Sequence, residues 1–472
     1  MHHQGSRRRF LQASLALAAV LGNGLPSGIR NARGDSFAAV SHPVLANIML
    51  NGGPDMRHLL MPPFSTTAGS YGQAFWRARA RVQGATDSDA ALALRWHDAY
   101  LPVADGNTEF GILARAGWLH EKWVAGKVAF VCGVLNNGSR DHELAQRTLE
   151  MGNRGADKVT FGSGWGGRLA QAANANVVAL TNSPRRFTFG PNPDRLWDLT
   201  AIDKRRLIPA ANMREIALPD IAPGTNHFDQ STYLKRGLKQ YYAERRSSVR
   251  PQSVYFQFFE HERRLRELGA VIDARLSTVP VPPALAALFE EGSRVSYSLA
   301  LQMRNLHDAL AANDILDMTV ASLEFDGWDT HGDQQLAFET LAEMLFGSHG
   351  ALAALDAVLP GSARRNTVFL IGGEFGRQLA DNGAGGTDHG EGTVNILIGD
   401  AVQGGVYGTM FPEAEIARLG ANSAQITGVN AIEHIYGTIC DWVMAGAKAQ
   451  VFPHYADAPL EPGLDLSGLI SG

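Results

Sequence analysis

Short apolar runs recur along the chain at "LANIMLNGG" (45–53), "KVAFVCGV" (127–134), "NVVALTN" (176–182), "LDMTVASLEF" (316–325), "TVFLIGG" (367–373) and "TVNILIGD" (393–400). Most are rich in β-branched residues or end in glycine, and their length suits strands rather than helices. Between them lie segments of helical period, among them "FGILARAGWLHEKWVAG" (110–126), "HELAQRTLEMG" (142–152), "QLAFETLAEMLFGSHGALAALDAVL" (335–359) and "NAIEHIYGTICDWVM" (430–444). Strands alternating with helices predict an α/β fold, a mainly parallel sheet flanked by helices on both faces. No internal repeat or low-complexity tract interrupts the pattern.

The period changes at 227–312. "YLKRGLKQYYAERR", "FFEHERRLRELGAVIDARL" and "SRVSYSLALQMRNLHDALAAN" read as consecutive helices with no strand between them, and the Pro-rich "STVPVPPAL" separates the last two. This predicts a helical insertion or cap whose Arg and Tyr residues form a solvated face. Residues 36–472 are otherwise expected to form one α/β domain.

The first 35 residues stand outside that scheme. "SRRRFLQASLALAAVLG" places Arg7 and Arg8 ahead of an apolar run too short to span a bilayer, in the order of a twin-arginine export signal. The expectation is export of a folded chain by the twin-arginine translocase to the periplasm or beyond, with no transmembrane segment left after processing. Net charge is −5, and −9 once residues 1–35 are set aside, because they hold five Arg and one Asp. Such an acidic body offers no broad basic surface to nucleic acid. The only two cysteines, Cys132 and Cys440, fall in apolar segments and read as core residues.

Four segments combine a strand end with acid or imidazole groups: "MLNGGPDMRH" with Asp55; "NNGSRDHELAQ" with Ser139, Arg140, Asp141 and His142; "LEFDGWDTHGDQQ" with Asp326, Asp329 and His331; and "EFGRQLADNGAGGTDHGEG" with Glu374, Arg377, Asp388 and His389. Singly each has a structural explanation, Asp141 as a helix cap and Asp329 as a turn residue. Jointly, carboxylates and imidazoles at several parallel strand ends are the donors that divalent metal sites use.

The segments "RDHELAQRTLEMG", "GWGGRLA", "DTHGDQQ", "GGPD" and above all E-F-G-R-x(4)-N-G-x-G-G-T-D-H-G resemble the DUF1501 proteins, a bacterial group of the alkaline phosphatase and sulfatase-like superfamily, over about 45–455. The resemblance implies a three-layer sandwich holding two divalent ions, among Zn, Mn, Mg and Ca, at the strand ends. It implies Asp55, Asp329, His331 and His389 as ligands, with Glu374 and His142 at the second ion. A hydrolase acting on a phosphate or sulfate ester, small or polymer-borne, is the function it implies; a non-catalytic periplasmic scaffold or binding protein is the alternative.

Three positions depart from the family pattern. Phe375 replaces a second-site His, Asp141 replaces the Ser of an R-S-H motif, and His58 stands at an Asn position; nor is there a C-x-P-x-R or S-x-P-x-R sulfatase signature. Asp141 is therefore open to three roles: metal ligand beside the attacking group, nucleophile, or helix cap. Ser139 is the fallback nucleophile. Arg140 and Arg377 are candidate oxyanion binders, and Arg377 is equally a partner that orients Glu374.

Overall fold

Alternate residues of the first strand, β1 (Val44–Leu50), enter different cores: Val44, Ala46, Ile48 and Leu50 pack on one side of the sheet, Leu45 and Met49 on the other. The two-residue period of a strand buried on both faces explains why its sequence is a continuous apolar run. A computed structural model of the protein describes residues 37–154, 162–192, 202–216, 230–250, 253–419 and 424–471. The expected export signal with Arg7 and Arg8 lies outside the described residues.

The other strands of the main sheet are β2 (Val128–Leu135), β3 (Asn176–Ala179), β4 (Leu207–Pro209), β5 (Met318–Phe325), β6 (Thr367–Gly373), β7 (Thr393–Ile398), β8 (Gly405–Tyr407) and β9 (Asn430–Ala431). Their order is β8-β2-β7-β6-β1-β5-β3-β4, with β9 also on β2. All pairings are parallel except those of β7, which runs against both β6 and β2. The sheet is thus mainly parallel, as the alternating pattern predicts.

One face carries the helices Tyr297–Ala311, Gln334–Phe346 and Ala351–Asp356, which bury Leu299, Met303, Leu306, Leu310, Phe338, Leu345 and Leu355. The opposite face carries Trp165–Ala172 and Ile432–Val443, burying Trp165, Leu169, Ile435, Tyr436 and Ile439. Cys132 and Cys440 are free and buried on opposite sides of the sheet.

Two details differ from the sequence-based expectation. Tyr297–Ala311, expected in the helical insertion, is a core helix: Gln302 exchanges hydrogen bonds with the Glu324 backbone of β5 at 2.8 and 2.9 Å. Its apolar stripe at Leu299, Met303, Leu306 and Leu310 has the spacing of a helix lying on a sheet, so the missing strand signal does not set it apart. Second, "FGIL" opens no helix but belongs to the strand Thr108–Leu113, which forms a hairpin with Tyr100–Asp105 closed by Gly106 at φ +56°. The helix begins at Gly117.

Register decides where the chemistry goes. Leu50 pairs with both Phe325 and Gly373, so β1, β5 and β6 end level with one another. The loops after them open on a single edge. Because β7 returns antiparallel from that edge, the whole Gly-rich connection 374–392 lies there, together with the loop after β2.

Candidate metal centre

That edge brings four sequence-distant segments together. His142 is the first residue of the helix His142–Met151, set at the strand ends by the loop following β2. Its Nδ1 lies 2.9 Å from Glu374 Oε1 and its Nε2 lies 3.4 Å from Asp329 Oδ2. Asp329, in the loop after β5, places Oδ1 3.0 Å from His389 Nε2 and 3.1 Å from His331 Nε2. The two Nε2 atoms are 3.0 Å apart.

The outer nitrogens of the rings determine what the inner ones can be. His389 Nδ1 is 2.8 Å from the carbonyl oxygen of Arg140, which only accepts, so the proton is on Nδ1. His331 Nδ1 faces Asp388 Oδ1 at 2.9 Å, and His142 Nδ1 faces Glu374, so the same logic applies to all three. In the neutral rings every Nε2 is then a bare lone pair. Three lone pairs gathered around a carboxylate repel one another unless a cation or added protons join them.

Two further observations fit a cation. The 3.0–3.1 Å spacing of Asp329, His331 and His389 donors is close to the edge of about 3.3 Å that four-coordinate bonds of 2.0–2.1 Å produce. Glu374 is fully buried, and its Oε2 has no hydrogen-bond partner. A buried carboxylate so placed needs positive charge nearby, which His142 would carry if bound to an ion. His142, Asp329 and His389 lie close enough to share one ion.

Burial raises the Asp329 carboxyl pKa, but the Arg377 hydrogen bond and charge, joined by His389 and His331 when those rings are protonated, outweigh it and hold the group at about 2. Arg377 reaches Asp329 Oδ1 at 2.5 Å and spends its other donors on the carbonyl oxygens of Gly52, Gly53, Thr387 and Trp328. It is 1% exposed, so this guanidinium orients Asp329 and is shut off from an oxyanion arriving from solvent. Phe375, at the expected second-site His position, lays its ring 4.5 Å from that of His389 and 5.0 Å from that of His142, an apolar backing for both.

Glycine is required where these segments touch. A Cβ on Gly52, at φ +115°, would lie 2.4 Å from the Asp329 nitrogen, and one on Gly386 would lie 2.3 Å from the His331 carbonyl carbon. Only residues without a side chain let these backbones approach so closely.

The remaining predicted residues have other surroundings. Asp55 is buried: its Oδ1 accepts from the Arg57 N–H at 3.1 Å, and its Oδ2 accepts from Gln334 at 2.5 Å and from Arg79. Burial raises the Asp55 pKa, but the charge of Arg79 beside it, helped by His58 and the hydrogen bonds from Arg79 and Gln334, brings it below the usual carboxylate range. Asp141 is the N-cap of its helix, accepting from the Leu144 N–H at 2.8 Å, and Ser139 Oγ accepts from the Asp141 N–H at 3.1 Å. Arg140 gives its carbonyl to His389 and leaves its side chain exposed.

The comparison that bears on this geometry is with known families. Residues 313–418 match the family described as "Protein of unknown function (DUF1501)". The match spans β5 to β8 and so includes Asp329, His331, Glu374, Arg377, Asp388 and His389, while Asp55 and His142 fall outside it. No curated protein and no solved structure matches the chain.

Sequence reasoning passed over Arg79, Gln334 and Gln146. Arg79 lies in "FWRARARVQG", where three arginines alternating with alanines give no sign of which one is buried. Gln334 and Gln146 fall inside the quoted "DTHGDQQ" and "RDHELAQRTLEMG" segments, but an uncharged amide there gives no sign of its partner.

Proposed function

We propose that the chain is an exported, metal-dependent hydrolase of the alkaline phosphatase and sulfatase-like class, acting on a phosphate or sulfate ester. The observation that carries the reading is the convergence of His142, His331 and His389 Nε2 on Asp329, with each Nδ1 already committed to an acceptor. Of these, His142, His389 and Asp329 would hold the ion, which supplies Lewis acidity toward an ester oxygen. Asp388, Glu374 and the Arg140 carbonyl orient the rings, and Arg377 orients the carboxylate.

Solvent access suits a substrate that arrives from outside, because the side chains of Asp329 and His331 are each 44% exposed. Arg140, anchored by its backbone beside His389, has the exposed guanidinium to bind a phosphate or sulfate group. The twin-arginine order at Arg7 and Arg8 supports export, and no helix among the described residues is long and apolar enough to cross a membrane.

One observation favours the alternative of a non-catalytic scaffold. The residues nearest a nucleophile position, Ser139 and Asp141, are taken up by a turn and a helix cap. The test is metal analysis of protein from the periplasm alongside a panel of phosphate and sulfate monoesters and diesters. Turnover that falls at least about 100-fold in His389→Ala supports the hydrolase; bound metal with no turnover on any ester supports the scaffold.

A further inference from the structure

Two buried carboxylates stand at the ends of adjacent central strands, Asp55 shortly after β1 and Glu374 directly after β6. Their charges are met in different ways. Asp55 has a guanidinium of its own: Arg79 is fully buried, pairs with Asp55 Oδ2, and donates to the carbonyl oxygens of Gln378 and Leu379 at 3.3 and 3.4 Å. With Gln334 and the Arg57 N–H added, both oxygens of Asp55 are engaged and its negative charge is cancelled by a permanent cation.

Glu374 has no such partner. Its Oε1 accepts from the Gly52 N–H at 2.9 Å, from Gln146 at 3.2 Å and from His142 Nδ1 at 2.9 Å, while Oε2 is buried and unpartnered. The neutral donors leave the charge in place, so His142 is the route by which positive charge reaches it. Around the imidazoles the balance points the same way. Asp329, Glu374 and Asp388 contribute three negative charges against the one guanidinium of Arg377, an excess of two that a single divalent ion would cancel.

We propose that each chain binds one metal ion, with His142 joining His389 and Asp329 as its ligands and His331 beside them, and with Arg79 meeting at Asp55 the demand that a second ion would otherwise meet. This rests on the metal reading of the site and narrows it. Glu374 is a positioning residue that holds the His142 ring, and Asp55 is not a ligand. Imidazole nitrogens beside a carboxylate select a zinc-like first-row transition ion over magnesium or calcium, which take oxygen donors.

The experiment uses the full exported chain, stripped with a chelator and titrated with cobalt(II) alone, with bound metal counted by elemental analysis and coordination followed by visible absorption. The expected end point is one cobalt per chain, undisturbed by millimolar magnesium. Glu374→Gln should weaken cobalt affinity by about 10–100-fold, the usual effect of losing an orienting partner, and His142→Ala should weaken it at least as much and change the spectrum. Asp55→Asn, if circular dichroism shows it folded, should keep one cobalt and the parent spectrum; if it does not fold, the parent stoichiometry decides. Two tightly bound cobalt ions, loss of the ion in folded Asp55→Asn, or an unchanged spectrum in His142→Ala would overturn the single-ion assignment while leaving a metal site standing. No bound cobalt would overturn the metal reading and this inference together.

Discussion

Asp141 and His142 are neighbours with unrelated duties. The Asp141 carboxylate closes the first turn of the helix through the Leu144 N–H, and the His142 ring faces Glu374 and Asp329. Asp141→Ala should therefore cost about 1 kcal/mol of stability in urea unfolding, as loss of an N-cap does. Cobalt affinity should stay at the parent value, and Asp141→Asn, which preserves the cap, should restore most of the stability. A fall in metal binding in Asp141→Ala would instead make the carboxylate part of the site. The helix cap is a role that the sequence alone leaves as one of three, because a cap and a ligand look alike until the direction of the carboxylate is known.

At the scale of elements, the Gly-rich connection between β6 and β7 works by close approach. It crosses the loop after β5 so tightly that Gly386 has no room for a methyl group against the His331 carbonyl, whereas Gly332 has its nearest neighbour at 3.7 Å. Gly386→Ala should move the two loops apart, lower stability by about 1–3 kcal/mol, the usual cost of overpacking, and weaken cobalt binding at least tenfold. Gly332→Ala should change neither by a comparable amount. Thermal unfolding and cobalt titration of the pair check this, and equal behaviour of the two variants would show that the close approach is not what sets His331 against His389.

At the scale of the whole molecule, the helix Gln334–Phe346 ties the site to a second buried charge network. Its Glu339 faces His58, Arg95 and Arg115. Burial raises the Glu339 pKa, but His58, 3.6 Å away, and the Arg95 charge outweigh it and hold the group at about 2, below its ordinary 4.5. A carboxylate with a depressed folded pKa contributes stability that is fully present above the unfolded value and disappears as pH falls through the folded one. Stability should thus drop between about pH 4.5 and pH 2. Glu339→Gln should be less stable at neutral pH yet show a flatter decline across that window in chemical unfolding. A parallel decline in both proteins would assign the acid sensitivity elsewhere.

The sequence by itself determined the six longest strands of the main sheet, because a strand buried on both faces is apolar along its length and that signal is local, whereas β4, β8 and β9, of two or three residues, are too short to carry it. It also marked the candidate site residues: Asp329, His331 and Glu374 stand just past such strands and His389 just ahead of one, and the glycines between them have no use in a core. The tertiary structure decided the partners. Arg79 meets Asp55 from 24 residues away and Gln334 from 279, while the Arg140 carbonyl reaches His389 across 249. No local pattern encodes such pairs, since they follow from strand order and register. For the same reason two carboxylates that look equivalent in the sequence differ in the fold: one is neutralised by a buried arginine, and the other faces the imidazole of His142.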